Sequence, residues 1–340
     1  MQLDYRYPTE IRTLLVTILV LTVALLLTTP FTVGATLVLF VLGVGLNYLI
    51  VRSQIESLKR RAVRVTATQL PEINALVDEC ARRVGLPAGT EVYVKYSPVM
   101  NASAMGVGKP YSIVLNSALV EALGPDELKS VIGHEMGHIK FGHTALLTLV
   151  GQLGSQTFGL PLVGDLIRYV FLFWSRAAEF TADRAGLVAV GRLDRAVATE
   201  VKLAVGPDLA QRVDLRELAR QAREARGSLL GTLGEMESTH PMMTTRIQKM
   251  VDFAASETFA RLRPDMRAVN FQEADAWQLE QPTLSSGGVC PQCGNPLLKG
   301  AAFCMRCGAR AHTPRRCLQC HTPLEAAWKI CPRCGKAISG

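Results

Sequence analysis

The most pronounced feature of the hydropathy pattern is a stretch of 39 residues, 13–51, without a single Asp, Glu, Lys or Arg. One helix needs about 20 apolar residues to cross roughly 30 Å of hydrocarbon, so the stretch is long enough for two. Thr28-Thr29-Pro30 interrupts it near the middle, and proline disfavours helix through the residue before it. The pattern predicts two helices, 13–29 and 31–51, joined by a tight turn as a transmembrane hairpin. A signal peptide fits poorly, because the run is too long and no small-residue cleavage site leads into a polar chain. A buried hairpin of a soluble core is the other reading the pattern allows.

Beyond the run, residues 91–96 (Glu-Val-Tyr-Val-Lys-Tyr) alternate and are β-branched or aromatic, and 111–116 do likewise; both predict strands. Between them, 101–108 is a segment of small residues, which alone reads equally as a hairpin loop or a strand. Gly124-Pro125-Asp126-Glu127 has the proline and acids of a helix start, and the helix runs on through Ile139. Residues 144–164 are uncharged but rich in Gly, Gln, Ser and Thr, with Pro161 as a break. Asp165 and Arg168 then precede 169–174. This region is expected to touch a membrane without fully crossing it. An amphipathic helix is expected at 215–225, and the polar, Ser- and Gly-containing 278–288 reads as a flexible linker. The expected class is α+β, mostly helical, with a small β-sheet. Its divisions are a transmembrane hairpin at 1–55, a catalytic domain at 56–277, a linker at 278–289 and a cysteine-rich region at 290–340.

Composition refines this picture. Hydrophobic residues make up 49% and charged residues 19% of 340, a balance that leans toward a membrane protein. The net charge of +8 would suit a polyanion partner, but no block of five or more Lys or Arg occurs, so nucleic acid is not the expected partner. Arg52, Lys59, Arg60, Arg61 and Arg64 closely follow the second predicted helix. Basic residues mark the cytoplasmic side, and two crossings place both ends there, in a multi-pass protein of the cell membrane.

Cys80 stands apart from eight cysteines that form four CxxC pairs. Cys290, Cys293, Cys304 and Cys307 repeat in spacing as Cys317, Cys320, Cys331 and Cys334, offset by 27 residues. Two CxxC knuckles close one tetrahedral site of four thiolates. The pattern predicts tandem zinc ribbons with two structural zinc ions, since four protein ligands leave no open position. Reduced thiolates agree with a cytosolic setting. Such modules bind proteins in most cases, and Phe303 and Trp328 alone make a thin stacking platform for nucleic acid.

The candidate chemistry centres on Gly133-His134-Glu135-Met136-Gly137-His138. Histidines four apart project from one helical face and can hold one zinc. The Glu beside the first can take a proton from water. The flanks Val131, Ile132, Met136 and Ile139 are apolar, which marks a buried helix. Gly133 and Gly137 each cost about 1 kcal/mol of helix propensity, so they imply close packing or room for substrate. A catalytic zinc needs a third protein ligand. Position 144 is Thr, which rules out the HExxHxxGxxH class. His143 reads as a neighbouring polar residue. Glu179 and Asp183, four apart, could serve as third ligand and as acceptor for a ligand histidine.

These residues together resemble the integral-membrane metallopeptidases that include HtpX and the CAAX prenyl proteases. The resemblance covers roughly 70–250 and is carried by the GHEMGH segment with His143, then Glu179 with Asp183, then His240-Pro241 and Arg246-Ile247. Asn101-Ala102-Ser103-Ala104 resembles the family's substrate strand. The resemblance implies a gluzincin fold with a catalytic zinc on His134, His138 and Glu179, and Glu135 as general base. It also implies His240 near the reaction centre, where it would stabilise the oxyanion, and Arg246 in support. An edge strand at 101–104 would bind extended peptide through its main chain. The expected function is membrane-anchored zinc endopeptidase acting on membrane or membrane-proximal proteins, as in quality control. The alternatives are a peptidase-fold scaffold whose ribbons bind protein partners, and a maturation enzyme for lipid-modified peptides.

Overall fold

A computed structural model describes residues 4–30, 34–86, 90–150, 161–214, 217–218 and 243–265, and in the C-terminal region 315–316, 323–324 and 334. The chain divides into two units, Met1–Trp277 and Gln278–Gly340. In the second, β5 (Arg315–Arg316) pairs antiparallel with β6 (Pro323–Leu324). Of the eight CxxC cysteines only Cys334 falls among the described residues.

The first unit opens with α1 (Glu10–Thr28) and α2 (Ala35–Arg61). Leu15, Leu19, Leu26 and Leu27 on α1 and Leu42, Leu46 and Leu49 on α2 are exposed. Among the described residues, one helix, Glu10–Leu27, is long and apolar enough to cross a membrane. The helix boundaries differ from those predicted, for physical reasons. α1 starts at Glu10 because that acid is buried against the protein body at 3% exposure, whereas a search for charge-free sequence begins after it. α2 starts only after Gly34, whose φ of 81° places it in the left-handed region. It continues through Arg52 to Arg61 because Val51, Ile55 and Leu58 recur at helical spacing and are buried.

β1 (Val63–Arg64), β2 (Thr90–Lys95), β3 (Ala102–Met105) and β4 (Tyr111–Asn116) form one mixed sheet in the order β1-β2-β4-β3. β2 and β4, the two segments read as strands, pair in parallel with Val92 opposite Ile113, and β3 returns antiparallel to β4 with Ala104 opposite Ile113. β3 is therefore one of the two edge strands of this sheet, β1 being the other. α3 (Pro71–Val84) buries Ile73, Val77, Cys80 and Val84, spaced four, three and four, against the rest of the unit. The short α4 (Ser117–Ala122) leads into α5 (Pro125–Lys140). Pro125 begins α5, and the Gly124 amide donates to Glu127 Oε2 at 2.8 Å. Glu127 also receives Lys202 Nζ at 2.7 Å, tying the first turn of α5 to α8 (Leu193–Val205).

α6 (His143–Val150) follows, then α7 (Pro161–Val190), a helix of 30 residues. Pro161 stands at the start of α7, where its missing N–H costs nothing. Asp165 and Arg168 lie within the helix rather than separating two segments. The short α9 (Pro207–Ala210) and the helices α10 (Met243–Ala254) and α11 (Glu257–Leu262) are the remaining helices named among the described residues of the unit. The expected helix at 215–225 lies outside the described residues except for Glu217 and Leu218, which are helical.

The centre of the unit is the α5–α7 pair. A Cβ built on Gly137 would sit 2.7 Å from Ala185 Cβ, and one on Gly186 would sit 2.7 Å from Ser130 O. One on Gly133 would collide with Ala189. Of the two roles open to these glycines in the sequence, close packing is the one they play: the two backbones approach as only small residues allow. Gly137→Ala should lower stability by up to about 2 kcal/mol, because overpacking of about 1–3 kcal/mol is offset by only the ~1 kcal/mol gain in helix propensity. Thermal unfolding of purified protein in detergent checks this.

Candidate active site

The close approach of α5 and α7 brings side chains from both helices to one point. His134 Nε2 and His138 Nε2 lie 3.1 Å apart. Glu179 places Oε2 at 3.6 Å from His134 Nε2 and Oε1 at 3.6 Å from His138 Nε2. One donor atom from each of the three residues falls within 4.8 Å of the others. Two donors held about 2.0–2.1 Å from a tetrahedral zinc are roughly 3.3 Å apart, so the pair of imidazole nitrogens fits that ion. Two neutral imidazoles and one carboxylate also match the donor chemistry zinc takes when one position stays open.

Around this cluster lies an array of buried charge. Asp183 is 3% exposed. Its Oδ1 accepts from His134 Nδ1 at 3.0 Å, so Nε2 is the ring atom left to bind a metal. Arg246 on α10 donates to both Asp183 oxygens, from Nε at 3.0 Å and Nη2 at 2.5 Å. Its Nη1 reaches Glu200 Oε2 on α8 at 2.8 Å. Burial alone would push His134 down, but Asp183 and Glu179 together more than reverse this and its pKa is pushed up to about 9. Burial pushes His138 down to about 3 against the pull of Glu179. Burial would raise Asp183, yet Arg246 and His134 hold it below the usual carboxylate range. Burial raises Glu200, with Arg246 opposing.

A cavity of about 340 Å³ opens over the cluster. Glu135, 8% exposed, lines it beside His134 and His138, and Asn101, Ala102, Ser103 and Ala104 line it from the side of the edge strand. The metal-donor residues, Glu135, Asp183, Arg246 and the 101–104 segment are thus brought to one place. His143 stays out of the donor cluster, with its Nδ1 at 3.2 Å from His138 Nδ1. His240 lies outside the described residues, as do Cys290, Cys293, Cys304, Cys307, Cys317, Cys320 and Cys331. Sequence reading missed Glu200 and Glu10. Glu200 gave no local signal, since its partner Arg246 is on another helix. Glu10 had one faint signal, an acid three residues before an apolar run.

Comparison with known proteins adds to this geometry. The family model "Peptidase family M48" matches residues 67–254, and "Double zinc ribbon" matches 290–335. Plastoglobule-localized metallopeptidase 48, chloroplastic, of Arabidopsis thaliana is 31% identical over 214 residues, 59% of this chain and 62% of that protein. A protease HtpX homolog of Methanothermobacter thermautotrophicus is 30% identical over 163 residues, 47% of this chain and 58% of its own length. One of Gemmatimonas aurantiaca is 28% identical over 227 residues, covering 56% and 78%. The chain thus spans about three fifths of the first two relatives, 62% and 58%.

Proposed function

The chain belongs to peptidase family M48, and we propose that it is a membrane-anchored zinc endopeptidase of HtpX type acting on membrane or membrane-proximal proteins. The observation that carries this reading is the approach of His134, His138 and Glu179 within 4.8 Å, with Glu135 one residue from the first ligand. His134, His138 and Glu179 would hold the catalytic zinc. When bound, the ion supplies Lewis acidity to the scissile carbonyl and lowers the pKa of water. Glu135 takes the proton from the attacking water and returns it to the leaving amine. Asp183 keeps the His134 proton on Nδ1, and Arg246 holds Asp183. His240, read from the motif His240-Pro241 upstream of Arg246, is assigned to the oxyanion. Among the described residues β3 is paired along one edge, toward β4. Its other edge is assigned to an extended substrate peptide, whose main chain would pair with Ala102, Ser103 and Ala104 and whose entry Asn101 would flank.

The anchoring hairpin comprises α1 and the apolar first half of α2. Arg52, Lys59, Arg60, Arg61 and Arg64 then set the protein body and the C-terminal unit on the cytoplasmic side of the cell membrane. In the double zinc ribbon, Cys290, Cys293, Cys304 and Cys307 take one structural zinc and Cys317, Cys320, Cys331 and Cys334 another, leaving the ribbons to engage protein partners or substrates.

Detergent-purified protein should cleave an unstructured substrate such as casein, stop on chelation and recover with zinc. Zinc-loaded protein that leaves casein, and membrane-protein substrates supplied in proteoliposomes, intact would overturn the reading. The proton on His134 also sets a pH dependence. Below about 9 the metal-free site carries a proton that zinc must displace. Affinity for the catalytic zinc should therefore climb about tenfold per pH unit toward that value and then level off. Equilibrium dialysis across pH 6–10 checks this.

A further inference from the structure

The segment leading into α1 is fastened to the protein body. Tyr5 is 1% exposed and lies edge-on to Phe141 with ring centroids 5.0 Å apart. The Tyr7 amide donates to Thr181 Oγ1 at 2.8 Å, and Arg184 Nη1 donates to Arg6 O at 2.9 Å. These contacts bring Glu10 inside. A buried carboxylate is costly unless its lone pairs are satisfied. The Thr181 hydroxyl donates to Glu10 Oε2, and His143 Nε2 lies 3.0 Å from Glu10 Oε1. Arg6 Nε stands farther away at 3.8 Å.

His143 is enclosed in turn. It is 1% exposed, edge-on to Trp174 with centroids 5.9 Å apart and stacked on Phe141 at 6.1 Å. Its two ring nitrogens have different neighbours: Glu10 Oε1 at 3.0 Å from Nε2, and His138 Nδ1 at 3.2 Å from Nδ1. A carboxylate accepts only, so His143 Nε2 must carry the proton and donate. The neutral ring then has a lone pair on Nδ1, which accepts from His138 Nδ1–H. That leaves the lone pair of His138 on Nε2, the atom that faces His134 and Glu179. Both ligand histidines are thus set to offer Nε2 by a carboxylate, His134 directly through Asp183 and His138 through one intervening imidazole.

We propose that Glu10 is a positioning residue of the catalytic metal site, orienting His138 through His143. The inference rests on the metal-site reading above. It makes the first residue of the membrane-anchoring helix part of the support of a zinc ligand. An outer partner of a ligand histidine typically contributes 10–100-fold in metal affinity.

The test uses the full-length protein in detergent, dialysed against buffers of fixed free zinc, with zinc per chain counted at each. The readout is the free zinc at which the catalytic equivalent is half lost. Glu10→Leu should raise that concentration about tenfold or more. Glu10→Gln keeps an acceptor oxygen at the same reach and should fall between wild type and Glu10→Leu. Glu10→Leu combined with His143→Leu should lose no more than the weaker single variant, because both act through one chain of contacts. Tyr7→Leu removes the ring packed on Phe180 but keeps the Tyr7 amide bond to Thr181 that holds Glu10 in place, and should bind zinc as wild type does. Unchanged zinc binding in Glu10→Leu, or an equal loss in Tyr7→Leu, would overturn the proposal. Wild-type protein that takes no zinc at His134 and His138 would instead overturn the metal-site reading beneath it.

Discussion

Glu135→Gln is expected to keep its zinc and its fold while hydrolysis falls by about 10²–10⁴-fold, the range supplied by a positioned general base. Glu135 lines the cavity one residue from His134 but is not among the three clustered donors. Removing its basicity therefore leaves the donor set intact. Gln has the same length and stays compatible with the small opening left by 8% exposure. The loss should appear in kcat with little change in KM, because the proton transfer belongs to the transition state and not to substrate binding. A variant that also lost its zinc would place Glu135 in the donor set and contradict the assignment.

Asp183→Ala is expected to cost both stability and metal. Asp183 takes two hydrogen bonds from Arg246 and one from His134. Breaking a buried pair by removing one partner costs about 3–5 kcal/mol, because the remaining charge is left uncompensated. Here Arg246 keeps Glu200 at 2.8 Å, so the cost should lie near the lower figure, about 3 kcal/mol. His134 also loses the acceptor that fixes its tautomer, and zinc affinity should drop about 10–100-fold. Asp183→Asn makes a useful contrast. Its amide oxygen can still accept from His134, so zinc loss should be smaller, while the pairing with Arg246 weakens. Denaturant unfolding and zinc counting on the two variants separate the terms. Equal zinc binding in wild type and Asp183→Ala would remove Asp183 from the metal site.

The parts of the site that were legible in the sequence are those with local geometry. His134 and His138 share a helical face because they are four apart, and Glu179 and Asp183 do so for the same reason. Each pair could be read without knowing where its helix lies. That the two helices meet was only hinted at by Gly133 and Gly137, and the partners that make it possible, Ala185, Gly186 and Ala189, carry no chemical signature. Arg246 was placed by resemblance alone. Glu200 was invisible and Glu10 nearly so, because their roles depend on contacts 46 and 133 positions away, with Arg246 and His143 respectively. The strands at 90–95 and 111–116 showed their alternation, but their parallel pairing, with β3 on the outer edge, depends on how the chain returns between them. The absence of charge marked the helix that is long and apolar enough to cross a membrane, Glu10–Leu27, but placed helix ends poorly. A buried Glu10 and a basic amphipathic extension to Arg61 are both helix, and neither is apolar.

The central claim is that His134 and His138 hold a catalytic zinc. The most direct test counts zinc in purified full-length protein beside a His134→Ala/His138→Ala double variant. One fewer zinc per chain in the variant, with the remaining ions unaffected, is the predicted result. Equal counts in the two proteins would mean the helix of α5 binds no metal, and would contradict the account.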